Sequence, residues 1–232
     1  MIIYNGVGLE SVAPVQIDDV LVSPISYEPV ARARPIRGGA DFVRNHHGTR
    51  TVTISFSILE EDKVNRVRAI RAVSEWAKTD KEYKIELPEY PDVYLVCVCT
   101  KKPDPSLRMW WQNNLQLVFT CFDDPYFNSK AEKSVACGTD FFVLGDAEPH
   151  MRIERTLYSS ASSQSYGLNG NTITFSTIPA GNLVIDLDKQ TAMVGTTDIM
   201  QYYNVNSKFL VPKTGAQKVT GTGTVKYRER WQ

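Results

Sequence analysis

Thr51-Val52-Thr53-Ile54-Ser55-Phe56-Ser57-Ile58 alternates apolar and hydroxyl side chains without a break. Val52, Ile54, Phe56 and Ile58 fall on one face and Thr51, Thr53, Ser55 and Ser57 on the other, the period of an antiparallel strand with one face buried. Over residues 61–78 the period changes to about three and a half, which places Val64, Val67, Ile70, Val73, Trp76 and Ala77 along one stripe. Glu60, Glu61 and Asp62 stand at the start and Lys78 at the end, the arrangement the helix dipole favours. The spacing predicts a single amphipathic helix lying across a sheet, with Arg66, Arg68 and Arg71 on its other faces.

Strand patterns flank this pair. Residues 94–100 are apolar on both faces, and residues 115–122 set Leu115, Leu117, Phe119 and Cys121 together, so both segments read as central strands. Residues 84–87 add a further short strand. Upstream, residues 1–30 hold short apolar runs broken by Gly6, Gly8, Pro14, Asp18-Asp19, Pro24 and Pro29, which reads as two or three short strands joined by turns. Residues 32–50 follow neither period and form a long loop or an extended hairpin.

Beyond Phe127 the helical period does not return. Short strands are predicted at 135–144, 151–157, 172–175, 183–187, 191–194, 209–211, 217–220 and 224–228. Turn signals such as Asn169-Gly170, Asp188-Lys189 and Lys213-Thr214-Gly215 separate them. Many short strands at this spacing imply a β-sandwich or jelly roll. The polar stretch 128–133 places a domain boundary near residue 130, giving an N-terminal domain of 1–130 and a C-terminal domain of 131–232. The fold class is mainly β.

The chain has 232 residues and is 42% hydrophobic and 22% charged, enough to bury a sizeable core in one or two domains. Formal net charge is zero, which argues against a surface devoted to nucleic acid or anionic lipid, so electrostatic function has to be local. Cys97, Cys99, Cys121 and Cys137 show no CxxC pair and read as reduced core thiols. No basic-then-apolar leader is present at the N-terminus, and no run approaches a membrane span, so synthesis and folding in a cytoplasm without membrane insertion are expected.

The order of four features resembles the distal tail protein family of long non-contractile-tailed phages and their prophages. They are an arginine-rich loop closed by Gly48-Thr49-Arg50, the lone helix bearing Trp76, a strand ending in Phe122-Asp123-Asp124-Pro125-Tyr126-Phe127, and Pro179-Ala180-Gly181-Asn182-Leu183-Val184-Ile185-Asp186 leading into a hairpin. The pattern covers nearly the whole chain. In the loop, many relatives carry a Gly-Arg-Asp/His-Gly-like element where this chain has Ile36-Arg37-Gly38-Gly39-Ala40-Asp41. The resemblance implies an N-terminal β-sandwich-like domain with one helix and a C-terminal galectin-like β-sandwich. It implies a virion protein at the distal end of the tail: six copies in a ring, a hub joining the tail tube protein to the tail-associated protein. The N-terminal domains would surround a channel through which genomic DNA passes without sequence-specific binding, and receptor-binding or other baseplate proteins would attach outside. The chain is too short for the large carbohydrate-binding insertions of some relatives.

Residues 32–50 hold Arg32, Arg34, Arg37, Arg44 and Arg50 against the single acid Asp41. This cationic segment suits a ring-forming arm that meets acidic patches on a neighbouring subunit or faces the channel; the bland alternative is a solvated loop whose surface pairs contribute about 0–1 kcal/mol each. Trp110 and Trp111 sit between two strands, where large aromatics anchor partners or merely cover a core edge. His46-His47 lack the carboxylates or thiols of a metal site and read as a polar turn. Asp123-Asp124 point to opposite faces ahead of a proline, which suits a strand-ending turn better than a catalytic dyad. Gly221-Thr222-Gly223-Thr224 lacks the lysine and the helix of a phosphate loop. No nucleophile–base arrangement is readable, so neither enzyme activity nor a cofactor is expected. Two rivals to the hub reading remain. A carbohydrate-binding module would need an aromatic platform, with Tyr202-Tyr203-Asn204 the nearest candidate. A glycoside hydrolase would need two facing carboxylates, and the sequence nominates none.

Overall fold

The computed structural model describes residues 1–33, 40–103 and 114–232, and of residues 28, 30–33 and 40–47 the backbone alone. The fold is mainly β. It divides into two compact units, Met1–Phe127 with Gln232, and Asn128–Trp231.

The first unit contains β1 (Ile3–Tyr4), β2 (Val7–Gly8), β3 (Val15–Val22), β4 (Tyr27–Ala33), β5 (Ala40–His47), β6 (Arg50–Ile58), α1 (Lys63–Trp76), β7 (Tyr83–Glu86), β8 (Val93–Lys101) and β9 (Leu115–Cys121). Its main sheet runs β3-β6-β9-β8-β7-β1-β2. β6 behaves as its alternation dictates: Val52, Ile54, Phe56 and Ile58 are at most 1% exposed, while the hydroxyl side chains between them are half-buried on the opposite face. The sheet curls on itself, because Tyr4 of β1 packs edge-on against Phe119 of β9 with ring centroids 4.8 Å apart, although two strands separate them in the sheet order.

α1 starts at Asp62, whose carboxylate accepts the Val64 and Asn65 amides at 2.9 Å, an N-cap that satisfies two otherwise orphaned donors. Its buried stripe is Arg66, Ala69, Ile70 and Val73, continued by Ala77 just past the helix. This is a rotation from the expected stripe: Val64 is 56% exposed and Arg66 is buried. The alanines explain the shift, since their small side chains let the helix approach the sheet closely along that line. Trp76 lies at the edge of the stripe, with its indole N–H donating to the Val7 carbonyl at 3.0 Å.

β10 (Phe127–Ser129) lies at the join of the units. The second unit then contains β11 (Lys133–Ala136), β12 (Asp140–Val143), β13 (Ala147–Leu157), β14 (Ala161–Leu168), β15 (Asn171–Ile178), β16 (Gly181–Asp186), β17 (Thr191–Val194), β18 (Thr197–Asp198), β19 (Gly215–Lys218) and β20 (Thr224–Trp231). One sheet runs β11-β20-β13-β16-β17-β18. Facing it, hairpin β14–β15 and pair β12–β19 are joined by reciprocal hydrogen bonds between Gly167 and Thr220. Ile153, Leu183, Ile185 and Val225 from the first layer and Tyr166, Ile173 and Phe175 from the second share one core, so the unit is a β-sandwich.

Three sequence expectations change here. The strand expected over 135–144 is two strands, divided by a turn at Gly138 (φ 89°). Residues 209–211 are not a strand. β14, unanticipated, is rich in serine and buries only Tyr166 and Leu168, so its hydrophobic pattern is too sparse to read. Asn169-Gly170 forms the tight turn expected of it, both residues at positive φ.

Candidate interaction surfaces

The cationic segment is an extended hairpin. β4 and β5 pair antiparallel from Tyr27 opposite His47 to Ala33 opposite Ala40, with a bulge between Val30 and Ala31. Its base is stitched by Gly48 N–H to the Ser26 carbonyl (2.7 Å) and Ser26 N–H to the Thr49 carbonyl (3.0 Å). A side chain at Gly48 would run into Ser26 Oγ at 2.2 Å, so glycine is what admits this close approach. The hairpin thus continues the β3–β6 ladder, which runs to Val22 opposite Val52. Arg32 and Arg44 occupy its strands, and the expected polar turn at His46-His47 is the end of β5. Arg34, Arg37, Trp110 and Trp111 lie outside the described residues.

Arg50 differs from the other arginines. It opens β6 opposite Cys121, is 3% exposed, and holds its guanidinium carbon 4.6 Å from the centroid of the Phe127 ring, which in turn packs on Tyr90. Its side chain is buried within its own unit, where a cation over an aromatic face is stabilising.

A second surface borders β3. That strand pairs with β6 along one edge, and no described strand pairs with the other. A register shift between Ile17 and Asp19 makes Asp18 an extra residue, so Asp18 and Asp19 are both exposed. They line a groove of roughly 460 Å³ together with Glu10, Glu89, Ile17 and Pro88. Asp18 accepts the Ser57 hydroxyl at 2.7 Å, and Glu10 accepts the Ile2 amide at 3.2 Å. No ion pair or hydrogen bond engages the Asp19 or Glu89 carboxylates among the described residues. Sequence reading missed this groove because its acids come from distant segments; the adjacent Asp18-Asp19 pair was the one local sign.

In the second unit, an open groove of roughly 440 Å³ is lined by Asn171, Thr172, Asn204, Ser207 and Lys208. Tyr202 and Tyr203, the nearest aromatics, are half-buried against the core, and Tyr203 lies edge-on to Phe175 and tilted to Phe209, both at 6.3 Å, while its hydroxyl donates to the Ser207 carbonyl at 2.6 Å. Exposed apolar side chains gather instead on β12 and just after it, with Phe142 60% and Leu144 52% exposed.

The remaining sequence candidates have structural roles. Asp123 and Asp124 lie in the turn after β9, where the Phe122 amide donates to Glu82 at 2.7 Å. Gly221 and Gly223 adopt φ of 122° and 136° in the turn before β20, and a side chain at either would strike Tyr166 or the Glu154 carbonyl. The four cysteines are free thiols, and burial, reinforced by the Cys121 thiol, pushes Cys97 far above the ordinary thiol range. No cluster of three potential metal ligands occurs among the described residues, and none of their helices is long and apolar enough to cross a membrane.

No protein-family model and no curated protein matches the sequence. In three dimensions the chain is similar to the crystal structure of SPP1 Dit (gp 19.1), described as a paradigm of the hub adsorption apparatus in phages infecting Gram-positive hosts. The TM-score is 0.79 at 16% identity, covering 100% of this chain and 98% of that one. The chain has the fold of a Dit hub protein. Two structures of the phage P2 baseplate in its activated conformation, with Ca and with Sr, give TM-scores of 0.47 and 0.48 at 9% identity, covering 96% of this chain and 92% of theirs. Identity as low as 16% beside full-length overlap means that the Dit fold is held here by burial pattern and turn placement.

Proposed function

We propose that this chain is a structural hub subunit of a phage tail tip, a virion protein whose work is assembly and not catalysis. Copies of the Met1–Phe127 unit form a closed homo-oligomeric ring, a hexamer, that joins the tail tube to the tail-associated protein. The second unit offers an attachment surface for receptor-binding or other baseplate proteins. The observation that carries this reading is the full-length similarity to the SPP1 Dit hub protein. The exposed Phe142 and Leu144 give the second unit an apolar surface for such an attachment.

The surface chemistry of the first unit supports a duct for DNA. Strands β3, β6 and β9 contain one cation, Arg50, and its side chain is buried. The half-exposed face of β6 is Thr51, Thr53, Ser55 and Ser57. Affinity for a phosphate backbone grows with each phosphate a cation neutralises, so a hydroxyl face without cations lets DNA pass without holding it. Mass photometry and negative-stain microscopy of the purified full chain test the proposal. Rings of six copies are expected, and a chain that stays monomeric up to high concentration refutes ring formation.

A further inference from the structure

We infer that Cys97 and Cys121, free thiols in this structure, form a cross-strand pair that a small-molecule disulfide oxidises to a disulfide bond. The register of the sheet places them. β8 and β9 run antiparallel with Val98 opposite Thr120 and Cys99 opposite Phe119, so the next step along the same ladder sets Cys97 opposite Cys121. Both are fully buried in the core of the first unit, on the face that holds Leu95, Leu117 and Phe119. Directly opposed residues on antiparallel strands have Cα atoms about 4.5 or 5.5 Å apart. A disulfide spans about 4.4–6.8 Å between Cα atoms, so either spacing accepts the bond without moving the backbone.

The other cysteines are worse placed. Cys99 stands opposite Phe119, and the diagonal from it to Cys121 is roughly 7–8 Å, beyond a disulfide's ordinary reach. Two residues along one strand, as Cys97 and Cys99 are, lie about 6.6–6.8 Å apart with side chains parallel, at the limit of that reach. Cys137 belongs to the second unit and packs on that unit's core. Two contacts hold the favoured pair in register: the Tyr4 hydroxyl donates to the Cys97 carbonyl at 3.1 Å, and Thr100 and Thr120 share a 3.0 Å hydrogen bond across the same two strands.

The reaction is thiol–disulfide exchange. The Cys97 thiolate attacks one sulfur of a small disulfide such as oxidised glutathione and releases one glutathione thiolate. The Cys121 thiolate then attacks the Cys97 sulfur of the mixed disulfide and releases the second. Two protein thiols are oxidised, the small disulfide is reduced to two thiols, and the cysteine protons end on the released glutathione. Burial holds Cys97 in its thiol form and keeps oxidant out, so the bond closes through local opening of the two strands and is afterwards shielded from reductant. Thiols inside a cell are kept reduced, whereas the medium outside is oxidising. The use of the bond therefore rests on the virion reading: the chain folds with the pair open and gains a staple across β8 and β9 once outside the cell.

The full chain, purified folded under reductant, is incubated with oxidised glutathione at mildly alkaline pH, with and without sub-denaturing urea. Mass spectrometry of an unreduced digest is expected to show the Cys97–Cys121 link as the principal disulfide, accumulating faster with urea. The oxidised chain should melt roughly 5–10 °C above the same chain reduced, because the bond closes a loop of roughly 25 residues in the unfolded state. This comparison sets one sequence against itself and needs no variant to fold. Cys121→Ala should abolish the gain and Cys99→Ala should keep it. Thiols at 97 and 121 that stay free in both incubations, pairing chiefly with Cys99 or Cys137, or an oxidised chain that melts no higher than the reduced one overturns the inference. Each of these results leaves the ring reading standing, since mass photometry reads rings without regard to the thiols. A chain that makes the link but no ring keeps the bond and loses the hub.

Discussion

Removing one hydroxyl, in Tyr4→Phe, tests whether the aromatic centre of the first unit holds its curled sheet closed. Tyr4 is 1% exposed and meets Phe119, Trp76 and Tyr83 edge-on at centroid distances of 4.8, 5.7 and 6.2 Å. Its hydroxyl donates to the Cys97 carbonyl at 3.1 Å and shares a 2.7 Å hydrogen bond with Thr79. The ring remains in Tyr4→Phe, but the buried Cys97 carbonyl and the half-buried Thr79 hydroxyl each lose a partner, so the loss at neutral pH is about 1–3 kcal/mol. In a chain of this length each kcal/mol lowers Tm by roughly 2–4 °C.

The pH dependence is the sharper half of the prediction. Burial pushes the Tyr4 phenol up to about 12 from its ordinary 10, against the opposing pull of the Thr79 hydrogen bond. The unfolded chain therefore ionises this tyrosine first. Its contribution to stability is complete below pH 10 and is lost as pH rises from about 10 to about 12. Two pH units of separation correspond to roughly 2–3 kcal/mol. Tyr4→Phe carries no such term, and other tyrosines and the thiols are common to both proteins. Urea denaturation followed by circular dichroism should show the wild type ahead at pH 8 and the gap closing by pH 12. A gap that stays constant across that range refutes the buried, hydrogen-bonded role of this hydroxyl.

Arg50→Ala should destabilise the first unit by roughly 2–4 kcal/mol, because it removes both a buried side chain and a cation from an aromatic face. Calorimetry checks this, and an unchanged Tm together with lost assembly would assign Arg50 to the subunit contact instead. Glu154 in the second unit is held below the ordinary carboxylate range by hydrogen bonds from Lys226 and Arg152. Its contribution is present above the ordinary carboxylate pKa and lost as pH falls through the lowered value. Glu154→Gln should flatten the acid limb of stability against pH, and an unaltered acid limb would show that the Arg152–Glu154–Lys226 ladder contributes nothing.

Legibility in the sequence followed locality. β6, β8 and β9 could be read because each buries apolar residues recorded in its own sequence. The helix was readable in place but not in rotation: hydrophobicity alone favours Val64, whereas the sheet selects Ala69 and Ala77 for close approach and takes the stem of Arg66 with them. β14 was hidden by its serines, since a strand in a thin second layer needs only two buried side chains to be held. The arginine segment left a long loop and an extended hairpin both open, because its residues follow neither period, and the backbone resolves it as the β4–β5 hairpin. The groove by β3 was the least readable feature. Glu10, Asp18, Asp19 and Glu89 become neighbours only through tertiary packing.

The fold is recognisable where the sequence is not for a physical reason. What has to persist is the core, and cores accept wide substitution when volume and periodicity are kept. On this account the identities shared with SPP1 Dit should concentrate at buried positions such as Ile54, Phe56 and Phe119, and a superposition in which they fall evenly over buried and exposed positions would overturn it.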